Sequence, residues 1–193
     1  MNLENFYHSV FEYAKMKHKG QFRKDGIEEY INHPFRVSQL VRMHGGTIEQ
    51  QCAALLHDVV EDTGTRQEQL ISDLSTMLMP VQGSNEGVAI VNKIARYVDD
   101  LTCKHTPQSH PKLNRAQRKK LELQHLVKHA DVDSRVVKLA DIIDNLSSIE
   151  KLDQDFAEKY LFEDFMIIRA IKIEHPIYDE AVKVFKQAIG KML

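Results

Sequence analysis

The sequence predicts an all-α bundle, and three observations carry that reading. Apolar residues recur at three- and four-residue steps along most of the 193 residues, the spacing of a helix face. No run alternates apolar and polar residues as a half-buried strand does. The breaks between periodic stretches hold the glycines and prolines that end helices.

Leu3, Phe6, Tyr7, Val10, Phe11 and Ala14 share one face of a first amphipathic helix. The next two helices are expected over residues 34–43 and 48–60, separated by His44-Gly45-Gly46-Thr47, with glycine for the stop and Thr47 for the cap. Thr65 and Glu68 have the spacing of a capping box for a fourth helix. Met79 to Gly87 (MPVQGSNEG) reads as a loop from its Pro and Gly content. Further helices are expected over about 88–102, 114–129, 134–150, 156–173 and 177–190. The length fits one domain spanning 1–193.

Composition narrows the function classes. With 42% hydrophobic and 28% charged residues, this is an ordinary globular chain. A net charge of −2 gives no electrostatic reason to expect a nucleic-acid partner. Cys52 and Cys103 form no CxxC pattern and read as small packed residues in a reducing compartment. The opening MNLENFYHSVFEYAK lacks a basic leader and an apolar signal core. No apolar run approaches the roughly 20 residues that cross a bilayer. These features predict a cytoplasmic protein without a membrane partner.

The chemistry concentrates in Leu55-Leu56-His57-Asp58-Val59-Val60-Glu61-Asp62. Adjacent His57 and Asp58 offer a divalent metal one imidazole nitrogen and one carboxylate oxygen. Glu61 and Asp62 follow about one turn later, at roughly 3.6 residues per turn, which returns them to the side of the helix occupied by the first pair. Burying such groups among Leu and Val is costly without a metal or partners. His33, in Tyr30-Ile31-Asn32-His33-Pro34, and Asp141, in Val137-Lys138-Leu139-Ala140-Asp141-Ile142-Ile143-Asp144-Asn145-Leu146, complete a two-His, two-carboxylate set. Taken singly, His33 reads as a turn or core histidine and Asp141 as a surface partner of Lys138; the apolar residues around Asp141 favour the metal reading for it. Mixed nitrogen and oxygen ligands suit Mn, Fe or Zn better than Ca or Mg. Carboxylates just outside the metal ligands, here Glu61 and Asp62, can orient a water and move its proton. The alternative is that they fix a helix end. Asn145 lies one turn beyond Asp141 and lines the same face.

His125 and His129 also have a metal-like i, i+4 spacing, but no third ligand follows, and a solvated helix face is the better reading. Cys103 to Lys120 (CKHTPQSHPKLNRAQRKK) is basic within a nearly neutral protein. Lys104, Lys112 and Arg115 are its candidates for contacting phosphate, and a solvated loop is the competing account.

The combination of HKGQFRKDG (His18 to Gly26), YINHP, ALLHDVVEDT (Ala54 to Thr63) and VKLADIIDNL resembles the HD-domain metal-dependent phosphohydrolases. Within them it resembles the hydrolase domain of the RelA/SpoT group and its small stand-alone alarmone hydrolase relatives. The likeness runs from about Phe11 to Ile149. It implies an HD-domain helical bundle, a manganese cofactor, and a (p)ppGpp 3′-pyrophosphohydrolase giving GDP or GTP and pyrophosphate. It further implies metal ligation by His33, His57, Asp58 and Asp141, catalysis by Glu61 and Asp62, and a small-molecule nucleotide held by Arg23, Lys24 and Asn145. A phosphatase acting on another nucleotide or dinucleotide-cofactor phosphate is the alternative, followed by a non-catalytic nucleotide sensor.

The chain departs from that pattern at three places. Asp144 stands where the alarmone hydrolases usually carry a basic or aromatic residue, Ser147 where they have Arg, and Glu29 where Pro is common. An added acid and a missing base are expected to weaken binding of a highly phosphorylated ligand.

Overall fold

The computed structural model describes residues 3–78, 84–151 and 153–192. Its helices are α1 (Leu3–Lys17), α2 (Asn32–Met43), α3 (Ile48–Leu56), α4 (Val59–Asp62), α5 (Gln67–Leu78), α6 (Ser84–Leu101), α7 (Arg115–Lys128), α8 (Val132–Ser147), α9 (Gln154–Ala170) and α10 (Pro176–Met192). A short 3₁₀ turn, Ile149–Lys151, separates α8 from α9. Among the described residues the only β pairing is one isolated bridge, Phe22 with Glu29. The all-α expectation holds.

Local chemistry sets most boundaries. Thr47 accepts the Gln50 amide and the Gln50 side chain returns to the Thr47 amide, a complete capping box for α3. Asn114 and Gln117 do the same for α7. Asp131 and Asp153 cap α8 and α9. Between α2 and α3 the chain turns through Gly45, at φ +79°, and Gly46, where a Cβ would come within 2.3 Å of the Val41 side chain. Only glycine fits at Gly46.

Three boundaries differ from the sequence reading. Residues 48–60 are not one helix: α3 ends at Leu56, His57 caps it, and Asp58 begins α4. Both residues keep negative φ near the helical region, so no glycine or proline marks the break. Thr65 does not cap α5, which starts at Gln67; its hydroxyl instead meets that of Thr63 at 2.8 Å. Of the loop expected over Met79–Gly87, residues 79–83 lie outside the described residues, whereas 84–87 form the first turn of α6.

Helix α8 is the centre of the bundle and packs against α2, α3, α6 and α10. Val136, Val137, Leu139, Ala140, Ile142, Ile143 and Leu146 are all buried along it. The stretch Cys52 to Leu56 of α3 is buried on every side. Fully burying an aliphatic side chain contributes about 1.5–3 kcal/mol, so α3 and α8 form a rigid floor for the polar groups they carry. No described helix is long and apolar enough to cross a membrane.

Candidate metal centre and cleft

The break between α3 and α4 is what points the acids inward. His57 Nδ1 lies 2.8 Å from the Ala54 carbonyl, an arrangement that makes Nδ1 the donor and leaves Nε2 with a lone pair. His33, in the first turn of α2, has its Nδ1 2.7 Å from Asp144 Oδ2. Both imidazoles therefore present Nε2 to the same point. His57 Nε2 is 3.0 Å from Asp58 Oδ2, and His33 Nε2 is 3.2 Å from Asp141 Oδ1. Ligand atoms of His33, His57 and Asp58 all lie within 4.8 Å of one another.

His57 Nε2 is buried and has no hydrogen-bond partner. A buried lone pair facing carboxylate oxygens is unfavourable unless a cation sits between them. The donor set, two imidazoles and two carboxylates with each Nδ1 occupied, therefore fits a divalent metal of the Mn, Fe or Zn kind. The same acids favour a positive charge at this point, carried by a proton on the imidazoles when no metal holds Nε2. Burial pushes both imidazoles toward neutrality, yet the facing acids overcome it and leave His33 and His57 above the ordinary histidine value. Burial likewise works to raise Asp58 and Asp141. The His57 imidazole holds Asp58 well down, and Lys138 and the imidazoles do so for Asp141.

Asp141 serves several partners at once. Its Oδ2 takes the Lys138 ammonium at 2.7 Å, while Oδ1 accepts from Asn145 Nδ2 at 2.6 Å. The pairing with Lys138 does form, but on the cleft floor with Asp141 buried. Asn145 Oδ1 accepts in turn from Arg23 Nη2 at 2.7 Å. Asn145 thus ties the loop after α1 to Asp141.

Glu61 and Asp62 line the same cleft. Glu61 Oε2 accepts from the Cys103 amide at 3.1 Å. Tyr30 places its hydroxyl 2.6 Å from Asp58 Oδ2 and 3.2 Å from Asp62 Oδ2, between the two acids. Partial desolvation in the cleft, helped by the Asp58 charge, lifts both Glu61 and Asp62 above ordinary carboxyl values. Neither belongs to the converging ligand group.

The cleft holds about 1300 Å³. One wall is the loop carrying Arg23 and Lys24, whose ammonium lies 3.5 Å from the centre of the Phe156 ring. The other comes from α7 and α9 and includes Arg115, Lys119, Lys120 and Tyr160. His33, His57, Asp58, Asp141, Glu61, Asp62, Arg23, Lys24 and Asn145 all lie on this one surface.

Other assignments need correction. Asp144 does not line the cleft; it is buried behind His33 and bound by Arg36, at 2.5 Å from Nε and 3.0 Å from Nη2. It is therefore not an extra charge beside the ligand. Ser147 supplies no cation, and its hydroxyl donates back to the Asp144 carbonyl at 2.6 Å. Of the three candidates in the basic segment, Arg115 alone reaches the cleft; Lys104 pairs with Asp99, and Lys112 is exposed away from it. Cys52 is fully buried, but Cys103 is half-buried on the cleft wall, its thiol 3.4 Å from Glu122. Sequence reasoning missed Tyr30 and the aromatic residues of α9, and saw Lys138 only as a surface partner of Asp141. Tyr30 and Lys138 were signalled by lying three residues before His33 and Asp141.

Comparison with known proteins shows the family and the fold. The family model described as HD domain matches residues 10–163. The guanosine-3′,5′-bis(diphosphate) 3′-pyrophosphohydrolase MESH1 of Xenopus tropicalis is 28% identical over 189 residues, covering 89% of this chain and 93% of that protein. MESH1 of Danio rerio is 33% identical over 142 residues, covering 72% and 66%. A solved structure described as "A metazoan ortholog of SpoT hydrolyzes ppGpp and plays a role in starvation responses" shares the fold, with a TM-score of 0.73, 23% identity and 94% of each chain covered. With its model spanning most of the sequence and its His-Asp pair at the centre of the bundle, the chain belongs to the HD domain family.

Proposed function

We propose that the protein is a manganese-dependent (p)ppGpp 3′-pyrophosphohydrolase, releasing pyrophosphate and leaving GDP or GTP. The observation that carries this reading is the convergence of His33, His57, Asp58 and Asp141 beneath a cleft walled by cations. The near full-length likeness to MESH1 proteins, named for that activity, supports the substrate.

His33, His57, Asp58 and Asp141 would hold the metal. When bound, it polarises a phosphate oxygen and lowers the pKa of water toward neutrality. Glu61 and Asp62, beside that group but outside it, orient the attacking water and take its proton. Their raised pKa values keep them basic enough for the task. Tyr30 fixes the direction of Asp58 and Asp62 through its hydroxyl. Arg23 and Lys24 close on the nucleotide from the loop, and Asn145 orients it from the floor. Arg offers a planar face for a base as well as a fork for phosphate.

The test is product analysis with purified, manganese-loaded protein and ppGpp. Pyrophosphate and GDP in equal amounts are expected. Orthophosphate from another nucleotide, with no pyrophosphate from ppGpp, would replace this reading with a general nucleotide phosphatase.

A further inference from the structure

The two ends of the cleft differ in charge. The metal-facing part carries Asp58, Glu61, Asp62 and Asp141, whereas on the α7–α9 wall Arg115 and Lys119 both pair with Glu163, with Lys24 near enough to feel their charge. Arg115 and Lys119 are four residues apart on α7, so they project from one helix face. Arg115 grips Glu163 with two parallel bonds, Nε to Oε1 at 2.8 Å and Nη2 to Oε2 at 2.9 Å, and Lys119 Nζ stands 3.7 Å from Oε2. Glu163 is largely covered, with 18% of its side chain exposed, while Arg115 and Lys119 are about half open at 53% and 48%. The acid lies behind; the cations face out.

Two cations share one acid and a third, Lys24, is repelled by them, so the charge set is incomplete. Desolvation, followed by repulsion from Arg115 and Arg23, lowers the Lys24 pKa against the opposing pull of Glu163. An incoming anion would relieve that crowding. It would also meet a guanidinium already held still by its fork to Glu163, which reduces the ordering cost of binding.

We infer that Arg115 and Lys119, with Lys24 beside them against Phe156, form a seat for a nucleotide's 5′-diphosphate, with Glu163 as the resident counter-ion. This deepens the proposed function and rests on it: with the 3′ arm at the metal, the opposite arm of the same nucleotide requires cations at the far end. A tetraphosphorylated nucleoside carries phosphate on both sides of the sugar and matches a cleft with two unlike ends. On this account the cation missing at Ser147 is supplied from α7 instead.

The seat is tested by equilibrium binding of GDP, GMP and guanosine to the manganese-loaded protein, by titration calorimetry. Wild type should bind more weakly as 5′ phosphates are removed. Arg115→Ala and Lys119→Ala should each weaken GDP binding by roughly tenfold, the effect of one charge-assisted bond, and leave guanosine unchanged. Glu163→Gln keeps an accepting oxygen but removes the charge, so GDP should bind several-fold tighter. Equal losses for GDP and guanosine, no loss for either, or a wild type indifferent to 5′ phosphate would overturn the seat and return Arg115 and Glu163 to a plain tie between α7 and α9. Pyrophosphate release from ppGpp by wild type is scored separately. Its absence overturns the proposed function, while the GDP series still decides the seat.

Discussion

Asp144 Oδ2 lies 2.7 Å from His33 Nδ1, and Arg36 grips the same carboxylate from the other side. An acid on the back of a ligating imidazole fixes the tautomer, aims Nε2 and strengthens the ring as a donor. Burial works to raise the Asp144 pKa, but the bonds with His33 and Arg36 hold it below the ordinary value, so it stays charged. Arg36 also pairs with Glu28, in the loop that carries Arg23 and Lys24. The acid that looked out of place in the sequence connects His33, on the cleft floor, to the loop that carries Arg23 and Lys24.

Removing that support should weaken metal binding. Asp144→Ala is expected to lower manganese affinity by about 10–100-fold, the usual scale for losing an outer partner of a ligating histidine. Calorimetric titration of the metal-free protein measures it directly. Unchanged affinity would mean that packing alone orients His33.

Tyr30 gives a second test. Tyr30→Phe keeps the ring, which packs against His18 with centroids 4.9 Å apart, and removes only the hydroxyl facing Asp58 and Asp62. A hydrogen bond to a charged group contributes about 1.5–3 kcal/mol. Turnover or manganese affinity should therefore drop roughly tenfold or more, with little change in Tm. A variant equal to wild type in both would leave Tyr30 a packing residue.

Glu61 separates chemistry from binding. Its carboxylate is anchored by the Cys103 amide and lies outside the converging ligand group. Glu61→Gln should keep metal and nucleotide affinity and lower kcat by about 10²–10⁴-fold. Loss of metal in this variant would move Glu61 into the ligand set.

How much of this was legible depended on whether the signal was local. The helices of the core were, because their apolar period is written in the sequence. His33, His57, Asp58 and Asp141 were too, since ionisable groups among Leu, Val and Ile need a reason to be there. The break at His57-Asp58 was not, because both residues stay close to helical angles and no turn residue announces it. Asp144 was misread for a different reason. Its partner Arg36 lies 108 residues away, and only the packing of α2 on α8 brings them together. The aromatic wall of α9 carried the ordinary spacing of a core helix, so Phe156 and Tyr160 gave no sign of facing a cleft.

Asp164 supplies a prediction about pH. It is 4% exposed on α9, and its Oδ2 has no hydrogen-bond partner. Burial pushes its carboxyl up to about 8, with Lys138 pulling the other way. In the unfolded chain the same group titrates near an ordinary value of about 3.9. Between those two values the native state keeps a proton that the unfolded state has lost, so this group makes stability fall as pH rises. Its contribution is complete below pH 4 and is lost by the time pH passes the native value. Asp164→Asn is neutral throughout and nearly the same shape. The variant should match wild type in Tm near pH 4, exceed it progressively toward pH 8, and hold a constant margin above that. Each kcal/mol corresponds to about 2–4 °C at this chain length, so the divergence is measurable by thermal melts from pH 4 to 9. Parallel curves would mean that Lys138 neutralises Asp164 fully and that the native carboxyl is ionised across the range.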